Sequence, residues 1–438
     1  MQLQKTGLRM IEGATNEYPV GTMLAAVLLM LLSPFVTTWL TVASFVLFLY
    51  RVVRYDAKVF LVDYCILIPM SNLMKLQNSV PLPIYLCLLA GIWYLVRGGL
   101  KANGTTVLLF ALLNYLLLRM QMNINDMVLM FGQILAIYVL VPRQDLRSSR
   151  RAVQAFCTSL ILTSVYAYIL RNTSALADLT GMSDAPMWGT GLKRFSGLVT
   201  DPNYYMSLLV VGIALLMKLK DCGYVSTLWF WVQVVILTVF GVMTYSKTFF
   251  LMLILLLGIY VLWQYWNKRV MKGIFFTAAA VIALMLIFTM EDSPFAVVLN
   301  RLTSAQNFNE LTTSRMNVFR LYWQAFTADL PTILFGKGLA AEALYRDPHN
   351  IYLEMGYYIG VVGFILTVAM YASIAASGLK VAARGPKQTL LGKYVVLAMV
   401  MIIYFSLQGI FLQVLHAEML LSVLAMMVTK EVAQETEA

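Results

Sequence analysis

The sequence predicts an all-α polytopic membrane protein, a single bundle of about 12–14 transmembrane helices spanning residues 1–438, and three observations predict it. Apolar residues make up 61% of the 438-residue chain and charged residues 12%, against about 45–50% and about 25% in soluble globular chains. Mean hydropathy is +0.78. Apolar stretches close to the roughly 17–25 residues that cross a bilayer recur along the whole length. One helical bundle uses nearly all of the chain, so its length does not imply several soluble domains.

Taken in order, Met1–Tyr18 carries Lys5, Arg9, Glu12 and Glu17 with no small-residue cleavage site after its first apolar run. It reads as a cytoplasmic tail and not as a cleaved signal peptide. Fourteen apolar segments follow, near 20–33, 35–50, 59–74, 81–96, 104–118, 127–141, 152–170, 203–217, 227–244, 248–265, 273–290, 351–373, 391–407 and 409–428. Only Ser33-Pro34 separates the first two, which leaves a re-entrant hairpin open, and the short third contains Asp63. Hence the range of 12–14. Between these segments lie two long polar stretches, 171–202 and 291–350, and the chain ends in a short acidic tail, Glu431–Ala438. Cys65, Cys87, Cys157 and Cys222 sit in apolar runs or beside the basic Lys218–Lys220 turn, without metal-ligand spacing, so no zinc site or disulfide framework is expected.

Orientation follows from the positive-inside rule. With the N-terminus in the cytoplasm and fourteen crossings, inside connections hold 21 basic residues and outside ones 11, together the 32 of the chain. Both termini then lie in the cytoplasm, while 171–202 is the first extracytoplasmic loop and 291–350 a large extracytoplasmic loop containing short helices. The net charge of +11 is mostly this cytoplasmic bias and its attraction to anionic lipid headgroups. Nucleic-acid binding is not needed to explain it. What the rule leaves unexplained is the set of cations on the outside face, next to the membrane.

Four constellations there could carry chemistry. The first, Lys193-Arg194-Phe195-Ser196-Gly197-Leu198-Val199-Thr200-Asp201-Pro202-Asn203, runs straight into a membrane helix. Thr200, Asp201 or Asn203 can cap that helix, with Pro202 in its first turn. Its free N–H groups beside Lys193 and Arg194 also make an anion site. The second is the tight turn Thr244-Tyr245-Ser246-Lys247-Thr248, where the lysine either snorkels as an anchor or meets a phosphate. The third is a helix expected from Thr313 or Ser314 to about Ala328, with Phe319, Tyr322, Trp323 and Phe326 suiting a membrane surface. Its Arg315 and Arg320 are five residues apart and do not share a face, so one could meet phosphate while the other pairs with protein. Arginine suits pyrophosphate because its planar fork makes paired charge-assisted bonds.

The fourth is Arg346-Asp347-Pro348-His349-Asn350, just before the apolar run that contains Glu354. Only two histidines occur in the chain. His416, inside the last apolar segment, suits a satisfied core position. His349 stands at the interface at a helix start, with Asp347 and Glu354 available to orient it, and nearby arginines would help keep it neutral and able to accept a proton.

At these residues the chain resembles the bacterial O-antigen ligase and O-antigen polymerase family. The resemblance rests on Arg194-Phe195-Ser196-Gly197-Leu198 with Asp201-Pro202-Asn203, on Tyr245-Ser246-Lys247, on Ser314-Arg315 through Trp323, on Phe335-Gly336-Lys337-Gly338-Leu339, and on His349-Asn350-Ile351-Tyr352-Leu353-Glu354 with Gly360 and Gly363. The order and spacing match from about 190 to 365; earlier segments match in hydrophobicity alone. The resemblance implies a C-type glycosyltransferase of membrane helices, metal-independent and inverting, without a cofactor. Its donor would be a glycan on undecaprenyl pyrophosphate. His349 would be the general base for the acceptor hydroxyl, and Arg194 and Arg315 would hold the donor pyrophosphate, with Lys193, Lys247 and Arg320 near it. Asp201, Asn203, Asn350, Glu354 and Arg346 would support them. Where the family often has arginine in the Ser-Arg turn, this chain has Lys247, which puts bidentate binding there in doubt.

The expected function is polymerisation of surface polysaccharide repeat units at the outer face of a bacterial cytoplasmic membrane. Modest outside loops, with nothing that specifies a lipid A acceptor, favour it over ligation to a lipid or wall acceptor. Partners beyond the lipid-linked oligosaccharide and membrane lipids, a flippase and a chain-length regulator, stay open. The rival class is a flippase or transporter, which should place charge near the bilayer midplane. Asp63 is its main candidate, whereas most outside cations lie at the interface.

Overall fold

The computed structural model describes residues 18–76, 81–98, 103–119, 124–173, 185–186, 193–199, 201–266, 271, 274, 303, 315–338, 341, 344, 348, 350–383 and 415–428. Among them the protein is helical apart from turns and one short antiparallel pair, β1 (Ala185–Pro186) with β2 (Lys193–Arg194), in which Ala185 faces Arg194.

Helices α1 (Val20–Leu32) and α2 (Trp39–Arg54) form a hairpin whose arms are joined where the Ser44 hydroxyl donates to the Ala26 carbonyl at 2.7 Å. With 13 residues, α1 is about 20 Å long, short of the roughly 30 Å of a hydrocarbon core. Helix α3 (Ala57–Leu67) starts at Asp56, whose carboxylate accepts from the Lys58 and Val59 N–H groups, and tightens after Leu67 into 3-10 turns over Ile68–Met74. Helix α4 (Leu82–Gly98) packs closely on α6 (Ile124–Leu140). A Cβ at Gly91 would lie 2.8 Å from Leu135 Cγ, so only hydrogen fits there. Between them in sequence, α5 (Gly104–Leu118) is capped by Asn103.

Helix α7 (Leu146–Leu170) opens with a reciprocal cap between Asp145 and Ser148. It packs with α3, with α8 (Pro202–Asp221) and with α14 (Leu415–Met427) around the core. Leu61, Cys65, Phe156, Leu160, Leu209, Leu420 and Leu424 are fully buried there. Helices α9 (Thr227–Val242) and α10 (Lys247–Trp266) follow α8, then α11 (Arg315–Phe326), α12 (Leu330–Phe335) and the 33-residue α13 (Ile351–Ala383).

Four helical stretches are long and apolar enough to cross a membrane, Ala57–Met74, Leu146–Leu170, Pro202–Asp221 and Tyr352–Ser377, and six shorter apolar helices accompany them among the described residues. The expected segments 273–290, apart from residue 274, and 391–407 lie outside the described residues. Apolar side chains also point outward in helical rows: Leu24, Leu28 and Leu32 on α1, Leu162, Val165 and Ile169 on α7, Ile365 and Val368 on α13. An aqueous surface would not carry such rows; a lipid surface requires them. The protein is a polytopic helical membrane protein.

Hydrogen bonds sort the helix ends into two faces. At one, Lys58 meets Asp145 at 2.6 Å, the Arg143 guanidinium donates to the Tyr94 carbonyl, Arg150 covers the Tyr224 ring, and Cys222 meets the Val428 carbonyl. At the other, Tyr166 donates to the Leu31 carbonyl, Asn72 to that of Leu198, and Arg194 to that of Thr244. Helix α5 runs from the first face to the second, where Arg119 meets Gly336. The stretches 193–203, 243–247, 315–338 and 350–360 therefore belong to one end of the bundle.

Candidate active site at the irregular end of the bundle

The Arg194 corner is built on glycine and aromatic packing. Gly197 has φ +60 and sits on the Tyr205 ring, where a Cβ would come within 2.4 Å of Cε2. Phe195 meets Tyr205 edge-on at 5.6 Å between centroids and also touches Phe240 and Tyr168. The Phe195 N–H donates to the Met243 carbonyl at 3.0 Å, which fastens the corner to the turn between α9 and α10. Tyr245 in that turn has φ 47, an uncommon conformation for a residue with a side chain. Opposite it, Gly241 admits the Phe249 ring, which a Cβ would meet at 1.9 Å.

These contacts bring three of the expected residues and Ser246 together. Arg194 donates from Nε to the Thr244 carbonyl at 2.7 Å and from Nη2 to Asn203 Oδ1 at 3.0 Å. Ser246 Oγ approaches the same oxygen at 3.4 Å. Asp201 caps α8 by accepting from the Asn203 N–H at 2.6 Å. Asp201 thus serves the helix start and Asn203 orients the guanidinium. Lys247 begins α10. Two polar atoms nearby were given no role by the sequence. Ser196 Oγ and Arg171 Nη1 are buried with no hydrogen-bond partner among the described residues, and Arg171 stacks 4.0 Å over the Tyr168 ring that touches Phe195.

The second cluster carries the other candidates. Helix α11 starts at Arg315, close to the expected cap, and ends at Phe326. It lies on α13 through Tyr322, which is fully buried and 5.0 Å from Tyr357, and through Phe326 against Gly356. Tyr322 thus faces protein, while Met316, Leu321 and Trp323 stay exposed, as a membrane-surface helix requires. Arg320 is exposed on the same helix. Helix α12 is capped by Asp329, whose carboxyl the Thr332 N–H holds below the usual carboxylate range; Lys337 lies 3.7 Å away.

Asn350 begins α13, its Oδ1 accepting from the Tyr352 and Leu353 N–H groups at 3.1 Å each. Glu354 is buried in the first turn. His349 and Arg346 lie outside the described residues, so the structure fixes the helix start that follows His349 and not its imidazole. Helix α13 then breaks. Gly360 has φ 63 and ψ −174, and the carbonyls before the break find new partners. Lys337 N–H donates to Tyr357 O at 2.7 Å, Gly338 N–H to Tyr358 O at 3.0 Å, and the Tyr115 hydroxyl to Ile359 O at 2.6 Å. Arg119 Nη2 donates to Gly336 O at 2.5 Å. Gly336 and Gly360 touch backbone to backbone, each leaving no room for a Cβ. The glycines of the 335–339 and 360–363 motifs are the parts of this junction.

At the opposite face, Asp63 is fully buried and bound twice by Arg51, at 2.8 Å from Nε and 2.8 Å from Nη2, with the Tyr18 hydroxyl donating to the same carboxylate. The midplane charge expected of a transporter is here half of an ion pair. Among the described residues no group of His, Cys, Asp and Glu could hold a metal ion.

The bundle and its sites define a polytopic helical membrane protein with broken backbone and polar side chains gathered at one end. The O-antigen ligase family model matches residues 232–368, and over that segment the chain is similar to this family. The match takes in the Tyr245-Ser246-Lys247, Ser314-Arg315, Gly336-Lys337-Gly338 and His349-Asn350 motifs and begins after the Arg194 corner. It supports an O-antigen ligase- or polymerase-type activity, a glycosyltransferase-like reaction on a lipid-linked oligosaccharide. No curated protein matches the chain.

Proposed function

We propose that the protein transfers a glycan from undecaprenyl pyrophosphate to an acceptor sugar hydroxyl, polymerising surface polysaccharide repeat units at the outer face of the cytoplasmic membrane. The observation that carries this reading is the gathering of the matched motifs, 245–247, 315–323, 335–339 and the helix start at 350, with Arg194 at one end of the bundle. His349 takes the proton of the acceptor hydroxyl. The freed oxygen attacks the anomeric carbon from the face opposite the pyrophosphate, the C–O bond to the pyrophosphate breaks, and the electron pair leaves with it, inverting that carbon. Arg194 and Arg315 hold the pyrophosphate and stabilise its growing charge, with Lys193, Lys247 and Arg320 drawing the anion to the interface. A pyrophosphate already leaves readily, so placement and one base of about 10²–10⁴-fold effect suffice without a metal.

At this corner the Thr244 carbonyl and the Asn203 amide oxygen orient the Arg194 fork. Both termini lie in the cytoplasm in this reading, and a flippase that delivers the donor and a chain-length regulator are the expected partners. The Arg51–Asp63 pair argues against a transporter, since a carboxylate bound twice by arginine is poorly placed to exchange ions. The test is the glycan profile of cells carrying His349→Ala. Loss of chain extension with the protein still in the membrane is expected, and single capped units pointing to ligation would shift the acceptor alone. Full-length glycan would refute the assignment of the base.

A further inference from the structure

The junction at Gly360 has a function beyond filling space. The nine residues 351–359 follow the Asn350 cap, one residue after His349, and their direction relative to the long half of α13 is not set by continuous helix, because Gly360 interrupts it. A broken helix leaves its last carbonyls without partners, and each one left unmet in a lipid environment is costly. Here all three carbonyls just before the break, Tyr357, Tyr358 and Ile359, are satisfied from outside the helix. Two partners are backbone groups of the 337–338 turn. The third is the Tyr115 hydroxyl on α5, which also lies 3.2 Å from the Phe335 carbonyl. Arg119, at the end of α5, fixes that same turn through the Gly336 carbonyl. Its Nε is buried with no partner among the described residues. Gly363 completes the seat, since a Cβ there would meet the Tyr115 ring at 2.7 Å.

We propose that Tyr115 and Arg119 are positioning residues of the transfer reaction: from α5 they set the angle of the half-helix 351–359, and thereby where residue 349 stands relative to the donor. This rests on the reading of His349 as the base. Neither residue needs to touch substrate, and both come from a segment well before the matched family region. Misplacing a catalytic group by about 1 Å can cost on the order of 10²-fold in rate while leaving binding intact. Tyr115→Phe keeps the ring against Gly363 and removes only the hydroxyl; Arg119→Lys keeps one donor for the Gly336 carbonyl; Arg119→Ala removes all.

The experiment measures pyrophosphate-linked donor turnover by the full-length protein in vesicles, using an undecaprenyl-pyrophosphate-linked oligosaccharide isolated from the source cell. Leu116→Ala, a buried change on the same helix, is the comparator for plain destabilisation. Expected are a fall in kcat of about 10-fold for Tyr115→Phe and about 100-fold for Arg119→Ala, donor KM within about twofold, a shifted acid limb of the pH–rate profile, and partial rescue by Arg119→Lys. Leu116→Ala should lower Tm with kcat per folded protein and the acid limb unchanged. Wild-type kcat in Tyr115→Phe and Arg119→Ala, or a loss that tracks Tm with an unshifted acid limb, overturns the proposal. His349→Ala measured alongside separates the two failures: if it retains activity the base assignment falls, and if it is inactive while the α5 variants are normal, only the positioning role falls.

Discussion

The two ends of the bundle are built by different means. At the basic end, order comes from charge and caps: Arg51 and Asp63 close on each other with no exposed surface, Lys58 holds Asp145, and Asp145 and Ser148 cap each other. At the other end, order comes from backbone that departs from helix. Gly197, Tyr245, Gly336, Gly338 and Gly360 all have positive φ there, whereas Gly223 alone does at the basic end among the described residues. Left-handed backbone costs stability and persists where its surroundings over-determine it, which is common at functional sites. Ion pairing makes the basic end a frame; the irregular end is where the motifs within the matched segment gather. Arg51 is bound to a carboxylate, and Arg194 donates to the Thr244 carbonyl and the Asn203 amide oxygen.

The largest effect should come from breaking the frame on one side only. Asp63→Asn leaves the Arg51 charge buried without its counter-ion and should cost roughly 3–5 kcal/mol, read as loss of folded protein in a thermal melt. The paired change Arg51→Leu with Asp63→Leu should recover most of that and keep glycan transfer. A folded, inactive double variant would mean that the basic end takes part in the reaction. Next, Gly360→Ala forces a Cβ to 2.5 Å from the Gly336 backbone nitrogen at a positive φ. It should cost roughly 2–4 kcal/mol and abolish transfer even in the fraction that folds; normal turnover would show that the break is dispensable.

The smallest effect is at Asp145. Burial pulls its carboxyl up, but the Lys58 and Ser148 hydrogen bonds outweigh this and hold it below the usual range. A depressed folded pKa stabilises above the unfolded value, near 4, and that contribution fades as the pH falls through the folded value. Asp145→Ala, which removes the cap and the Lys58 partner together, should lower stability by about 1 kcal/mol at neutral pH and flatten the acid side of the stability profile. A variant with an unchanged melt at pH 7 would remove the cap from the frame.

Much of the fold was legible because lipid imposes a simple code. Apolar segments of membrane size marked the helices, and in the structure Asp56, Asn103, Asp145 and Ser226 cap four of them. The Arg194 corner was legible in composition, yet Asp201 and Asn203 could not be assigned between cap and ligand until Asp201 was seen to bind the helix N–H and Asn203 the guanidinium. Asp63 was misleading. Its partner is twelve residues away across a helix turn, and the sequence offers no sign that the two charges cancel. Gly336 and Gly360 stood out as motif residues, but their role needs both at once, since Gly336 makes room for the Tyr358–Ile359 backbone and Gly360 for that of Leu334 and Gly336. Tyr115 and Arg119 left no signal, because a tyrosine and an arginine at a helix end look the same whether they face headgroups or hold a distant turn.

The account is tested most directly by the single-turnover rate of glycan transfer from an undecaprenyl-pyrophosphate-linked oligosaccharide by His349→Ala in vesicles, with Arg51→Leu/Asp63→Leu as the control from the other end. The account predicts a loss of about 10²–10⁴-fold for His349→Ala, without the acid limb of the wild-type pH profile, and a rate close to wild type for the control. A His349→Ala rate within a few-fold of wild type would contradict it.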